Sequence, residues 1–288
     1  GTVNIFPTVC DPDSIRAVAE VAKEGDQDGA TILGIHSEGP WLNRTGEKGI
    51  RTGWPEVSME TAHAMVEAGG GWLRLVALAP EIPGMDPIIE YFLSQGITVA
   101  AAHSDNNYKQ AMAAYAKGIS VATHTGNVMT DMHHRDIGGL GAALTNENVT
   151  CEVICDGLHI HPAVIRATHR MFGKKLVIIS DSLRCAGMPD GQYELGGQPI
   201  EMKNGRATLL GTDTLAGSSS NLLQELQNVV SFGLPLEDAI TALTSAPAKA
   251  VRLDHEIGSI AVGKKADLLL LTEDLELDSV YIDGNKII

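Results

Sequence analysis

The chain has 288 residues, 44% hydrophobic and 20% charged, and its 21 Lys and Arg against 36 Asp and Glu leave a formal net charge of −15. That is the composition of a globular protein of one large domain or two small ones, with a core that needs no disulfide staples. The acidic balance argues against partners of nucleic acid or anionic membrane, and no apolar run approaches the roughly 20 residues of a membrane span.

Short β-branched apolar runs at 3–6, 31–35, 73–78, 97–102, 119–123, 149–154 and 176–179 alternate with amphipathic stretches at 14–23, 59–67, 112–117 and 163–171. Ser58 fits an N-cap, and Gly118 follows Lys117 as a helix-stopping glycine does. Strands apolar throughout and separated by helices predict a parallel sheet covered by helices. A doubly wound open sheet is the competing arrangement, but no glycine-rich phosphate fingerprint follows the first strand. The count of about seven strand–helix units falls one short of a closed (β/α)8 barrel, so the expectation is a barrel lacking its first strand. Beyond Ser182 the turn signals Gly196-Gly197 and Asn204-Gly205 predict a β-hairpin, and helices follow at 222–230 and 236–244. The tail from 257 to 288 reads as small strands joined near Gly263-Lys264-Lys265 and Asp283-Gly284-Asn285. Cys10, Cys151, Cys155 and Cys185 form neither a CxxC pair nor a dense disulfide framework, which predicts reduced thiols and a cytoplasmic location.

Polar residues stand where the runs end: His36 and Glu38, His103, His124, Asp156 and Asp181. In barrels this edge carries the active site. Glu38, His103 and His124 offer one carboxylate and two imidazoles, a set suited to a catalytic divalent metal with an open position. Asp181 is then the carboxylate that takes the proton of the attacking water. His36 is expected to be a hydrogen-bonded core residue rather than a ligand.

The motifs Gly34-Ile-His-Ser-Glu-Gly-Pro-Trp-Leu-Asn43, Ala102-His-Ser-Asp-Asn-Asn-Tyr108, Thr123-His-Thr-Gly-Asn-Val-Met129, Asp156-Gly-Leu-His159, Ser180-Asp181 and Thr214-Leu-Ala-Gly-Ser-Ser219 occur in this order. With the tail Gly258-Ser-Ile-Ala-Val-Gly-Lys-Lys-Ala-Asp-Leu268, the sequence resembles the N-acetylglucosamine-6-phosphate deacetylase family of the amidohydrolase superfamily. The resemblance implies an α/β fold: a TIM-like (β/α)8 amidohydrolase barrel over residues 1–252, lacking its first strand and carrying a β-hairpin insertion at about 190–210. Residues 253–288 would then be the C-terminal strands of a small β-sandwich domain, and the sequence an N-terminally incomplete version of a longer enzyme.

The resemblance also implies roles. Glu38, His103 and His124 match the metal ligands, with zinc the first choice and iron or another first-row metal as alternatives. Asp181 matches the catalytic acid/base, and Arg135 and His159 match the grip on a sugar phosphate. Asn127 and Val128 match a substrate-holding loop, and Leu215 lies in a stretch that lines the acyl pocket. Arg51 occupies a substrate-binding position where the family usually carries His, and His124-Thr-Gly-Asn-Val-Met129 replaces the usual His-Leu-Tyr-Asn-Ala-Met. Family members are commonly homodimers. The expected reaction is hydrolysis of N-acetylglucosamine 6-phosphate to glucosamine 6-phosphate and acetate. The alternatives are an amidohydrolase acting on an N-acyl amino acid or cyclic amide, and a noncatalytic amidohydrolase-like scaffold.

Overall fold

Six of the seven apolar runs, joined by the short strand at Thr8–Val9, pair into one sheet in the structure, a computed structural model that describes residues 2–25, 29–44 and 53–288. In chain order the first elements are β1 (Asn4–Ile5), β2 (Thr8–Val9), α1 (Pro12–Glu24), β3 (Thr31–Ile32), β4 (Ile35–Glu38), α2 (Met59–Gly69) and β5 (Leu73–Leu78). Then come α3 (Met85–Ser94), β6 (Thr98–Ala101), α4 (Tyr108–Ala116), β7 (Val121–Ala122), α5 (Gly138–Thr145), β8 (Thr150–Ile154), α6 (Pro162–Phe172) and β9 (Leu176–Ile179). The large sheet has the order β2-β4-β5-β6-β7-β8-β9 with every neighbouring pair parallel, as successive right-handed βα units produce.

The start of this sheet differs from the expectation. Residues 3–6 contribute β1, which pairs with β3 in a separate two-stranded sheet, and the run at 31–35 divides into β3 and β4. The two-residue β2 supplies the outer strand instead. Gly34 sits at the division, where a Cβ would come within 2.4 Å of the Arg74 side chain and 2.8 Å of Phe6, so only glycine lets the backbone pass. Two helices had no clear sequence signal. α3 starts without a side-chain cap, and α5, Gly-Gly-Leu-Gly-Ala-Ala-Leu-Thr, has low intrinsic propensity and is held by burial of six of its residues. Ser58 caps α2 as expected, accepting the Thr61 N–H at 3.2 Å.

Side-chain alternation divides the interior into two layers. Val76, Leu78, Val99 and Ala101 face a large cluster with the helices, where Trp41, Phe92 and Phe172 are fully buried. Leu75, Ala77, Ala100, Ala102 and Val121 face the other way and form a small cluster of mostly short side chains. Register pairs His36 with Leu75 and Glu38 with Ala77, so both polar residues share the small-residue face.

Beyond the large sheet, β10 (Gly191–Leu195), β11 (Gln198–Lys203) and β12 (Arg206–Leu209) extend the expected hairpin into a three-stranded antiparallel sheet over Cys185, Ile200 and Met202. Helices α7 (Leu222–Ser231), α8 (Leu236–Leu243) and α9 (Ser245–Ala250) precede a last antiparallel sheet of β13 (Leu268–Leu271), β14 (Leu277–Ile282) and β15 (Asn285–Lys286). Asp283 and Gly284, both with positive φ, turn β14 into β15, whereas residues 263–265 lie outside any strand. No disulfide joins the four cysteines, and no helix among the described residues is long and apolar enough to cross a membrane. Phe92→Ala, which empties a fully buried site, is expected to cost about 3–5 kcal/mol of stability, measured by urea unfolding.

Candidate metal centre and active site

Three strand ends converge on one point. Glu38 closes β4, while His103 and His124 follow β6 and β7 by two residues each. Glu38 Oε1 lies 2.8 Å from His103 Nε2 and 2.8 Å from His124 Nε2, and the two ring nitrogens are 3.0 Å apart. Both histidines are buried and their rings meet edge to face. Among the described residues this is the group of His, Cys, Asp and Glu side chains able to hold a metal ion.

The electrostatics favour a cation at that point. Burial opposes ionisation of Glu38, but hydrogen bonds from His103 and His124 outweigh it and hold the carboxyl well below its usual value. Burial likewise opposes charge on His124, yet its hydrogen bond to Glu38 and the charges of Glu38, Asp181 and Glu152 raise it to about 9. Two Nε2 atoms and a carboxylate oxygen in mutual contact leave too few protons to go round, so their lone pairs need a shared cation. A divalent metal of zinc type, which takes imidazole and carboxylate together, fits this donor set.

An unusual backbone aims the side chains. His103, His124 and Asp181 all have left-handed φ, at 44°, 31° and 47°, where non-glycine residues cost about 1–3 kcal/mol. In each case the residue's own carbonyl is captured, for His103 and Asp181 from another loop and for His124 from three residues further along its own. Asn43 N–H donates to His103 O at 3.0 Å, Asn127 N–H and Nδ2 donate to His124 O at 2.9 and 3.2 Å, and Ser218 N–H donates to Asp181 O at 2.9 Å. Tertiary hydrogen bonds therefore hold a conformation that the local sequence disfavours.

Asp181 follows β9 closely enough to share the field of the cluster. Burial, then the charge of Glu38, pushes its carboxyl up to about 6, and His124 and His159 pull the other way. His159 is anchored by Asp156, whose carboxylate accepts from the ring Nδ1 at 2.7 Å and from the backbone N–H of Leu158 and His159 at 2.8 and 2.9 Å. Asn127 and Val128 are buried in the loop after His124, and the Val128 carbonyl accepts from Ser104 N–H at 3.1 Å. Arg135 is set apart from the cluster. It is exposed, contacts His134 at 2.6 Å, and lines an open cavity of about 450 Å³ with Asn107, Tyr108 and Lys109. Leu215 is half-buried beside β12, bridging to Thr208. Arg51 lies outside the described residues. His36 is buried, its Nδ1 3.3 Å from the Thr8 hydroxyl, and burial lowers it to about 4, so it is a neutral core imidazole.

Three carboxylates near the site had not drawn attention in the sequence. Glu81 joins the loops of the site, accepting from Asn43 Nδ2 at 3.0 Å, Ser104 Oγ at 3.0 Å and Asp105 N–H at 2.6 Å. Glu152 sits in an apolar run on β8, and burial raises it to about 7 beside His124. Glu225 is fully buried on α7. Its spacing with Leu222, Leu226 and Val229, i to i+3, i+4 and i+7, is a legible sign that this charge lies on the apolar face.

The sequence profile described as the amidohydrolase family matches residues 1–287. The chain belongs to the amidohydrolase family. It is 36% identical over 275 residues to the N-acetylglucosamine-6-phosphate deacetylase of Vibrio furnissii, a match covering 94% of this chain and 69% of that protein. It is 32% identical over 276 residues to the N-acetylgalactosamine-6-phosphate deacetylase of Escherichia coli O157:H7, covering 94% and 72%. Among solved structures, a variant N-acetyl-D-glucosamine-6-phosphate deacetylase from Mycobacterium smegmatis, in complex with N-acetyl-D-glucosamine-6-phosphate, superposes with a TM-score of 0.92 at 31% identity. That match covers 100% of this chain and 77% of the other. The corresponding Thermotoga maritima enzyme gives a TM-score of 0.90 at 26% identity, covering 100% and 79%.

The buried carboxyl of Glu225 makes a stability prediction. Burial, above all, pushes it up to about 8, so the folded state retains a proton that the unfolded chain releases near its ordinary value of 4.5. Its stabilising contribution is fully present below pH 4.5 and is lost as pH rises through about 8. Glu225→Gln should flatten this decline, read as a smaller drop in urea midpoint between pH 5 and pH 9 than in the parent.

Proposed function

We propose that the chain is a metal-dependent deacetylase that hydrolyses the acetamide of an N-acetylated amino-sugar phosphate, converting N-acetylglucosamine 6-phosphate to glucosamine 6-phosphate and acetate. The observation that carries the reading is the meeting of Glu38 with His103 and His124, in the field of Asp181, on a chain whose relatives are named for this chemistry.

Glu38, His103 and His124 are taken as the metal ligands, with zinc the first choice. Such a cation, when bound, supplies Lewis acidity that lowers the pKa of a water and polarises the amide carbonyl. The chain's own residues do the rest. Asp181, whose carboxyl is tuned upward by burial, accepts a proton from the attacking water at a carboxylate oxygen. It then gives that proton to the amine nitrogen as the C–N bond breaks, so the water's hydroxyl ends on the acetyl carbon and its proton on the sugar amine. Asn127 and Val128 hold the sugar, and Leu215 borders the acyl group.

Overall acidity would repel an anionic sugar phosphate, so local positive charge is needed. Arg135 supplies it through charge-assisted hydrogen bonds, with His159 as the inner contact and Arg51 as a further donor. The exposure of the Arg135 loop, away from its own cluster, supports a homodimer in which this grip acts across the interface. A cytoplasmic location accords with four cysteines that no disulfide joins. The architecture proposed is an eight-position barrel over residues 1–252, with 253–288 belonging to a smaller β-sandwich. β2 and β9 are the outer strands of the seven, which leaves an eight-stranded barrel of this kind one parallel strand from closure.

Zinc-loaded protein is expected to release acetate from N-acetylglucosamine 6-phosphate, while Asp181→Asn lowers kcat by about 100- to 10,000-fold with the metal retained. No release by folded, zinc-bound protein would turn the reading to another amide substrate. Chelation should abolish activity, and zinc should restore it in the parent but not in His124→Ala, whose metal content by elemental analysis should fall. Arg135→Met should raise KM for the phosphorylated sugar at least tenfold, on the order of the loss of one charge-assisted contact, and leave the unphosphorylated sugar unaffected.

A further inference from the structure

Asp181 is held in its left-handed conformation by one loop, and that loop is held by a buried carboxyl the reaction does not use. Ser218 donates its N–H to Asp181 O at 2.9 Å and its hydroxyl to Ser180 O, and its own carbonyl accepts the Leu183 N–H at 2.9 Å. Ser182 Oγ donates to the Ser220 carbonyl, closing the clamp from the other side. Residues 180–183 are thus gripped on both flanks by Ser218 and Ser220. The free end of the clamp is the Ser220 side chain, whose hydroxyl donates to Glu225 Oε1. Glu225 is 0% exposed, near the start of α7, and its carboxyl lies against the Cys155 backbone and in the field of Asp156, the residue that anchors His159.

From this chain of contacts we infer that Glu225 is a positioning residue: through Ser220 and Ser218 it fixes the backbone that aims Asp181. The inference rests on the deacetylase reading for Asp181's role. A carboxyl on the apolar face of α7 has no solvent to serve it, and its Oε2 has no hydrogen-bond partner among the described residues. Keeping a carboxyl there is costly, and the clamp on Asp181 is the structural return. Because the serine loop reaches the backbone of Asp181 and not the groups that hold the sugar, cutting its link to Glu225 should act on turnover rather than on substrate binding.

The test compares Glu225→Ala, Glu225→Gln and Ser220→Ala in the full chain loaded with zinc. Ser220→Ala cuts the link without emptying the core, so it stands in should Glu225→Ala fail to fold. Ser220→Ala and Glu225→Ala are expected to lower kcat by about 10- to 100-fold, the cost of a small misplacement of a catalytic group, with KM and zinc content unchanged. Glu225→Gln, which keeps an acceptor for Ser220, should recover kcat to within about threefold of the parent. Hydrogen exchange gives a second readout independent of turnover: amides at 181–183 should exchange at least tenfold faster in Ser220→Ala, with the remaining sheet unchanged. Folded Ser220→Ala with parental kcat, or with parental protection at 181–183, overturns the inference, as does Glu225→Gln as impaired as Glu225→Ala. If the parent itself releases no acetate, the deacetylase reading fails separately, and the exchange comparison alone decides whether Glu225 holds this backbone.

Discussion

A half-buried carboxylate held between two buried imidazoles is the contact around which this molecule is arranged. Glu38, His103 and His124 come from three neighbouring strands, β4, β6 and β7, with β5 between the first two. Bringing their tips within 3.0 Å fixes the stagger of all four. The contact also sets the size of what surrounds it. The face beneath the cluster is lined largely by Ala77, Ala100 and Ala102, and larger side chains there would fill the space a substrate must enter. The bulk of the apolar packing, with Trp41, Phe92 and Phe172, is displaced to the helix side of the sheet.

Concentrating charge in so dry a place has an electrostatic consequence for every neighbour. Glu152 and Asp181 both lie in the field of Glu38, and burial pushes both upward. His36 is driven in the opposite direction by the same desolvation and stays neutral. One carboxylate ionised and others held near neutrality is how a site separates a ligand from a proton carrier. The division of labour between Glu38 and Asp181 follows from their environments, since both are simple carboxylic acids.

The strained backbone is the second recurring device. His103, His124 and Asp181 occupy left-handed φ; the carbonyls of His103 and Asp181 are held from loops remote in sequence, and that of His124 by Asn127 of its own loop. This distributes responsibility for the site over segments with no chemical role of their own. Glu81 ties the loops bearing Asn43 and Ser104, and the serine loop at 218–220 ties Asp181 to α7. The site is therefore rigid because the scaffold around it is cross-linked, in a region where the strands themselves are only two to six residues long.

The sequence by itself determined the parallel α/β sheet, because runs apolar throughout alternate with helical stretches, and it exposed Glu38, His103, His124 and Asp181 because each stands at the end of a run. It also marked His36 correctly as core. It did not separate residues 3–6 from the large sheet, since β1 and β2 are short and their pairing depends on the close passage allowed by Gly34. α5 was invisible because its glycine-rich segment is helical only by burial. Whether four chemically suitable residues meet is a matter of distance, and distance between residues 38 and 124 is decided by strand register and by loops that capture three carbonyls. The roles of Glu81 and Glu152 belong to the tertiary structure for the same reason, whereas the helical spacing of Glu225 with Leu222, Leu226 and Val229 marks its burial but not the serine loop it meets.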